Sequence, residues 1–170
     1  NLGENIFYSG TVGAAMEAAI NHIPAIAVSL AHKGRGFRFE HAAKFARDLA
    51  QMALTEGLPQ GVALNVNVPL VWNGGVRVTR QSKKVTRNVL QEGTDPRGRS
   101  FYWLLEQEHI EGLDPKSDYA AVFDGVVSIT PLHLDRTHEI SLNHLSQWAA
   151  KLDSSTENAE PLAVAPFNQK

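Results

Sequence analysis

The chain has 170 residues, of which 43% are hydrophobic and 20% charged, and 16 Lys and Arg against 18 Asp and Glu give a formal net charge of −2. The absence of cysteine excludes a disulfide framework, thiolate metal sites and a cysteine nucleophile. No run approaches the ~18 apolar residues that a membrane span needs, and the near-neutral charge argues against a global attraction for nucleic acid. The length suits one domain. Because the chain starts at Asn1 in a loop-like segment with no signal-peptide pattern, we expect it to be a piece of a longer protein.

Helices and strands alternate in the first part of the chain. Hydroxyl and glycine residues lead into an alanine-rich run, which predicts a helix over residues 9–20. Residues 25–30 form a nearly continuous apolar run, typical of a strand covered on both faces. Apolar residues at helical spacing predict a second helix over 39–56, and alternation predicts a second strand over 62–69. This order indicates α/β layering with right-handed crossovers.

The rest of the chain has a different pattern of predicted elements. Alternation at residues 76–80 and an aromatic run at 101–105 predict two strands of an extended antiparallel hairpin arm, residues 76–105, that the α/β body carries. The expected elements beyond it are a short helix over 117–123, a buried strand over 126–130 closed by Pro131, and a C-terminal helix over 138–152. Ser117 and Asp118 are favourable residues for the start of the short helix. Residues 1–152 are thus predicted to be one domain, followed by a disordered tail, 153–170.

The segment Tyr8-Ser9-Gly10-Thr11-Val12-Gly13 is the strongest local candidate for a site. Backbone N–H groups at the start of a helix lack partners and carry partial positive charge, so anions such as phosphate bind there. Glycine permits close approach, and the hydroxyls add donors. An ordinary N-cap followed by small residues that allow close helix packing explains the same residues.

Two further features have competing interpretations. His133, Asp135 and His138 could ligate a metal, but their spacing matches no named motif and loop hydrogen bonding explains them as well. Residues 77–99 contain seven basic and two acidic side chains, a local balance of +5. Such a stretch could attract nucleic acid, polyphosphate or a phosphorylated substrate, or it could be a solvated hairpin that discourages edge-to-edge aggregation.

No catalytic centre can be assembled from spacing alone. The aspartates are isolated from one another in the sequence, whereas a divalent-metal phosphatase needs clustered carboxylates. The Gly-x-Ser-x-Gly and Walker-type patterns are also missing.

Several segments nevertheless match one family in its own order. They are Asn1-Leu2-Gly3, Tyr8-Ser9-Gly10-Thr11-Val12, Ala14-Ala15-Met16-Glu17, Ile23-Pro24-Ala25-Ile26-Ala27-Val28-Ser29, Leu64-Asn65-Val66-Asn67-Val68-Pro69, Thr94-Asp95-Pro96-Arg97-Gly98-Arg99, Phe101-Tyr102-Trp103, Ser117-Asp118 and Val127-Ser128-Ile129-Thr130-Pro131-Leu132. On these segments the chain resembles the C-terminal portion of the SurE family, stationary-phase survival proteins with 5′/3′-nucleotidase activity.

The resemblance implies a three-layer Rossmann-like fold and a metal-dependent phosphomonoesterase acting on nucleoside monophosphates. Asn1 matches the last Asn of the family's Ser-Gly-Ile-Asn-x-Gly-x-Asn motif, so the ligands of the divalent ion, Mn²⁺ or Mg²⁺, are expected upstream of Asn1. Asn1, Ser9, Gly10 and Thr11 match positions that the family places around the bound phosphate. The resemblance therefore favours the anion-binding interpretation of this loop, and it predicts that the chain alone is an inactive fragment.

The family resemblance also bears on assembly. The arm, residues 76–105, and the helix, residues 138–152, resemble segments that join subunits in a homodimer or homotetramer. A cytoplasmic protein without membrane or nucleic-acid partners is expected. The alternative is a non-catalytic module for anion binding or oligomerisation.

Overall fold

The computed structural model describes residues 1–31, 38–83, 86–108 and 113–156. The described residues divide into two compact units, one from Asn1 to Leu134 and one from Asp135 onwards. A 3₁₀ helix, Gly3–Tyr8, precedes the regular elements. These are α1 (Gly10–Ile20), β1 (Ala25–Ala31), α2 (Glu40–Glu56), β2 (Val62–Pro69), β3 (Val76–Val78), β4 (Thr86–Thr94), β5 (Ser100–Glu108), α3 (Asp118–Phe123), β6 (Val127–His133) and α4 (Glu139–Thr156).

Four strands form a mixed sheet in the order β1-β2-β6-β3. β1 runs parallel to β2, β6 runs antiparallel to β2, and β3 runs parallel to β6. The predicted α/β class is confirmed, while β6 gives the sheet a mixed character. No helix in the described ranges has the length and apolar character needed to cross a bilayer.

Helices cover both faces of the sheet, which confirms the three-layer arrangement. On one face, the small residues of α1 pack against Ala25, Ala27 and Ala63, where small side chains permit close helix–sheet contact. On the other face, Ala42, Phe45 and Leu49 of α2 pack with Val66, Val68 and Val127. Successive residues of a strand point to opposite faces, so β2 contributes its even-numbered apolar residues to the α2 face.

The hairpin arm differs in extent from the predicted residues 76–105. β4 and β5 pair antiparallel from Thr86 with Glu108 to Thr94 with Ser100. β3 instead belongs to the main sheet, because Val127 donates its N–H to the Gly75 carbonyl and Thr79 donates to that of Ile129. Its alternating pattern predicted a strand but could not identify the partner, which tertiary geometry decides.

Two boundaries also shift towards the C-terminus. β6 continues through Pro131 to His133, although Pro131 was expected to end it. Proline has no N–H to donate, and β3 pairs with β6 only from Val127 to Ile129, so no ladder bond to β3 is required at Pro131. In the second unit, α4 runs to Thr156, so residues 153–156 are helical rather than part of a tail. The rest of the predicted tail lies outside the described residues.

Candidate functional site

Ser9 links the two ends of the segment from Asn1 to Val12, which we call the phosphate loop. Its Oγ accepts the Val12 N–H at 3.1 Å as the N-cap of α1, and its hydroxyl donates to Asn1 Oδ1 at 2.7 Å. The Gly13 N–H, bonded to the Ser9 carbonyl at 2.9 Å, closes the first turn. The structure therefore brings Asn1 together with the start of α1.

Gly10 and Thr11 occupy the first two positions of α1 and are both exposed. By helix geometry, their N–H groups have no intrahelical acceptor. A Cβ added at Gly10 would meet no atom within 4 Å, so the space beside this backbone is open. These two residues present free donors to an approachable surface at the positive end of the helix dipole.

Two asparagines of β2 hydrogen-bond to the backbone of Asn1. Asn65 and Asn67 lie on the same face of the strand and donate their Nδ2 groups to the Asn1 carbonyl at 2.8 and 3.2 Å. Both are buried, and their Oδ1 atoms have no hydrogen-bond partner within the described part of the chain. The sequence analysis missed this role, although alternating Asn residues in an otherwise apolar strand were a visible signal.

Asp118 holds the next residues of the same segment. Its carboxylate is 0% exposed and accepts N–H groups from Gly3 at 2.8 Å, Ser82 at 3.0 Å and Tyr119 at 2.7 Å. Three backbone N–H groups from separate parts of the sequence thus converge on one buried carboxylate. Ser117 and Asp118 were predicted as favourable helix-start residues, and Ser117 does cap α3 through the Ala120 N–H at 3.2 Å. The contact of Asp118 with Gly3 was not foreseen.

These residues belong to a buried polar cluster, which we define as Asn65, Asn67, Thr79, Ser82, Ser117, Asp118, Ser128 and Thr130. Thr79 and Thr130 share a hydroxyl–hydroxyl bond of 2.7 Å. The Oγ atoms of Ser82 and Ser128 have no partner in the described residues. In β2 and β6, the strand register places Asn65 opposite Thr130 and Asn67 opposite Ser128, which makes the cluster continuous across the sheet.

The electrostatic character of this region follows from its side chains. Amides, hydroxyls and a fully hydrogen-bonded carboxylate dominate the site, so it is better suited to positioning groups than to transferring protons.

The described residues do not fit a divalent metal ion. Among them, no three His, Asp or Glu side chains lie close enough together to hold one. Asp118 uses both carboxylate oxygens for backbone N–H groups, and hard cations such as Mg²⁺ and Mn²⁺ need several oxygen ligands.

The segment with His133, Asp135 and His138 contains local hydrogen bonds, which agrees with the interpretation as loop hydrogen bonding. Asp135 Oδ1 accepts the Thr137 N–H at 2.8 Å, and His138 Nδ1 lies 2.6 Å from Ser141 Oγ. These contacts stabilise the turn that precedes α4.

Part of the basic stretch is neutralised by its surroundings. Arg77 pairs with Asp124 at 3.1 Å, and Arg99 pairs with Asp95 at 2.9 Å. Lys84 lies outside the described residues, as does the side chain of Arg87. The ion pairs favour the interpretation of this stretch as a solvated hairpin and its base.

A depression of about 270 Å³ lies at the other end of the strands, lined among others by His22, Pro24 and Gln60. The strands β1 and β2 begin beside it, whereas Ser9 lies at the opposite end of α1. None of the predicted phosphate-binding residues lines it.

Comparisons with known proteins agree on one family. The family model described as "Survival protein SurE" matches residues 1–88. The 5′-nucleotidase SurE of Geobacter metallireducens is 48% identical over 155 residues, covering 87% of this chain and 60% of that protein. The 5′-nucleotidase SurE of Desulforamulus reducens is 43% identical over 150 residues, with 87% and 59% covered.

A solved structure supports the same assignment. The crystal structure of the SurE protein from Aquifex aeolicus superposes with a TM-score of 0.75 at 39% identity and covers 88% of this chain and 61% of that one. The chain spans about 60% of the length of the curated relatives it matches.

Proposed function

The chain belongs to the SurE family, and from this membership we propose that it forms the phosphate-binding part of a nucleotidase. The whole enzyme would hydrolyse nucleoside 5′- or 3′-monophosphates to nucleoside and phosphate. The observation that carries the proposal is the bond between Ser9 and Asn1 beside the open start of α1. Relatives that match most of this chain are named 5′-nucleotidases.

In this proposal, four residues form the phosphate site: Ser9 positions Asn1 through its hydroxyl, and Asn1, Gly10 and Thr11 donate to the phosphate group. The N–H groups of Gly10 and Thr11 donate to its oxygens, and the Thr11 hydroxyl adds a further donor. Asn1 Oδ1 already accepts the Ser9 hydroxyl, so its Nδ2 is the end of that amide available to a phosphate oxygen. The helix dipole favours the negative charge, which fixes the phosphorus for attack.

The proposed enzyme depends on a divalent ion, Mn²⁺ or Mg²⁺, whose ligands are not among the described residues. We therefore expect the 170-residue chain to release no phosphate from AMP with Mn²⁺ present. A fusion that places the upstream part of the Geobacter metallireducens relative before Asn1 should release phosphate only with the ion. Hydrolysis by the chain alone, or by the fusion without metal, would contradict this proposal.

The phosphate site itself can be tested by titrating the ¹⁵N-labelled chain with inorganic phosphate. We expect the amide signals of Gly10, Thr11 and Val12 to shift. We expect Ser9→Ala to weaken binding about tenfold, because the variant loses the hydroxyl that holds the Asn1 side chain towards the phosphate. Ser117→Ala is the matched control, since Ser117 also caps a helix through the amide three residues on. Equal weakening by both variants would show that only a helix cap matters.

We further propose that copies of this chain associate with one another through the ribbon β4–β5 and the helix α4. Trp103 and Leu104 are 62% and 63% exposed on opposite faces of the two-stranded ribbon, and Ile140 of α4 is 85% exposed. Exposed apolar surface of this kind is typical of an interface. The proposed assembly is a homodimer or homotetramer.

Sedimentation velocity tests this assembly. Trp103→Ser should lower the sedimentation coefficient towards that of a monomer, whereas Gln91→Ser, at the exposed polar residue paired with Trp103, should leave it unchanged. A monomeric wild-type chain would contradict the proposed role of the ribbon.

The second candidate function is a non-catalytic module for anion binding or oligomerisation. The observation in its favour is that the described chain contains two apolar clusters of its own, one on each face of the sheet. The opposing observation is that β1 pairs with β2 alone among the described strands, which leaves one edge open. A cooperative thermal transition by circular dichroism favours the module, and a molten or aggregated sample favours the fragment.

A further inference from the structure

We propose that Asp118 is a positioning residue for the phosphate loop and that its carboxylate ties this loop to the base of the hairpin arm at Ser82. The inference rests on the proposed function, because it concerns how the same phosphate site is held in place. Asp118 lies outside the loop, and its contacts link three separate segments of the chain.

The contacts of Asp118 are non-local. Its Oδ2 accepts the N–H of Gly3, 115 residues away in the sequence, and its Oδ1 accepts the N–H groups of Ser82, 36 residues away, and of adjacent Tyr119. The side chain is 0% exposed, so water cannot replace any of these partners without a rearrangement. Hydrogen bonds to a buried carboxylate are stronger than neutral ones and therefore restrict the backbone positions of their donors.

Gly3 is the residue through which this restraint reaches the loop. It has a φ of +53°, which favours glycine, and a Cβ there would lie 2.6 Å from Ser82 Oγ and 3.0 Å from the Ser82 carbonyl oxygen. The Gln81 Nε2 donates to the Gly3 carbonyl at 3.3 Å. Gly3 is thus held at its N–H and at its C=O, close beside the base of the arm.

Asn1 lies two residues before Gly3 and is fixed at its other side. Asn65 and Asn67 bind its carbonyl, and its side chain accepts the Ser9 hydroxyl. A shift of Gly3 would therefore move Asn1 relative to Ser9 and change the geometry of the donors that face the phosphate.

The chemistry of these contacts requires a carboxylate. Both oxygens accept N–H groups, and an amide of the same shape has only one oxygen. In Asp118→Asn, the NH₂ group would face either Gly3 or the pair Ser82 and Tyr119, so that donor meets donor. This nearly isosteric variant therefore breaks the link without removing volume.

Two measurements on the ¹⁵N,¹³C-labelled chain test the role. In the wild type we expect a through-hydrogen-bond coupling between the Gly3 nitrogen and the Asp118 carboxyl carbon, and its absence would overturn the proposal. In Asp118→Asn we expect an upfield shift of the Gly3 amide proton and about tenfold weaker binding of inorganic phosphate. Asp114→Asn, the same substitution at an exposed carboxylate that accepts the Lys116 N–H and does not contact Gly3, should change the phosphate Kd less than twofold.

The outcomes separate this inference from the proposed function. Wild-type binding of phosphate with an unchanged Kd in Asp118→Asn overturns the positioning role alone, whereas no binding by the wild type overturns the proposed phosphate site and this role with it. If Asp118→Asn does not fold, Gln81→Ala releases Gly3 from its carbonyl side at an exposed residue. A Gln81→Ala chain with wild-type phosphate affinity then counts against the proposal, and a two- to threefold weaker affinity supports it.

Discussion

The hydroxyl pair of Thr79 and Thr130 provides a quantitative test of the buried polar cluster. The two oxygens lie 2.7 Å apart, and both residues are at most 4% exposed. Thr130→Val keeps the shape of the side chain but leaves the Thr79 hydroxyl buried without this partner. An unsatisfied buried hydroxyl costs about 1–3 kcal/mol, so we expect each single valine substitution to lower the free energy of unfolding by that amount.

The double variant Thr79→Val/Thr130→Val should behave differently. Replacement of both partners by apolar groups of the same shape can be nearly neutral, so its loss should be smaller than the sum of the two single losses. We expect a coupling of at least about 1 kcal/mol in urea unfolding at equilibrium. Thr55→Val, on the exposed surface of α2, is a control that should change stability by less than about 0.5 kcal/mol. Additive single effects would refute the hydrogen bond as the source of the stabilisation.

Two further predictions concern the backbone and the arm. Gly3→Ala should lower the thermal stability of the chain more than Gly57→Ala does. Both residues have a positive φ, but only at Gly3 would the added Cβ have atoms of Ser82 within 3.0 Å. Equal losses of stability in the two variants would show that backbone strain alone matters. The pKa of Asp95 lies below its ordinary 3.8, chiefly because the Arg99 N–H donates to it, so this turn should keep its contribution to stability above pH 3.8 and lose it as the pH falls through the lower folded-state value. Carboxyl ¹³C shifts in an acid titration would show this, and a midpoint at or above 3.8 would contradict it.

The elements that sequence predicted well are those whose signals are local. Ser9 and Ser117 were identified as helix-start residues, and each accepts the N–H three residues further along. β2 was predicted with its observed bounds, since it has a clear alternation and ends at a proline. Local side-chain and backbone chemistry decides these features, so a single sequence contains them.

The hairpin arm shows where local signals end. The residues around Val76 alternate as a strand of an antiparallel arm would, yet they pair parallel with β6. The partner depends on which backbone edge lies beside the strand in the folded chain, and here that edge is β6. The sequence pattern of one strand does not include that information, so the predicted arm began about ten residues too early.

The phosphate-binding residues were predicted from the family resemblance, whereas the residues that hold them in place were found only in the structure. Asn1 and Ser9 are indeed in contact, and Gly10 and Thr11 stand exposed beside them. The link from Asp118 to Gly3 spans 115 residues and could not be inferred from spacing. Contacts of this range need the folded topology, because no periodicity relates the two positions.

The polar composition of the sheet beneath Asn1 is costly for stability and therefore informative about function. Asn65, Asn67 and Ser128 are buried with at least one polar atom that lacks a partner in the described residues, and each such atom loses its hydration in the folded state. Apolar side chains at these positions would fill the same space without that cost. The asparagines are useful because their amides hold the Asn1 carbonyl, which apolar residues cannot do. The cluster thus lowers stability but fixes the position of the backbone at Asn1, as expected where a ligand must meet preorganised donors.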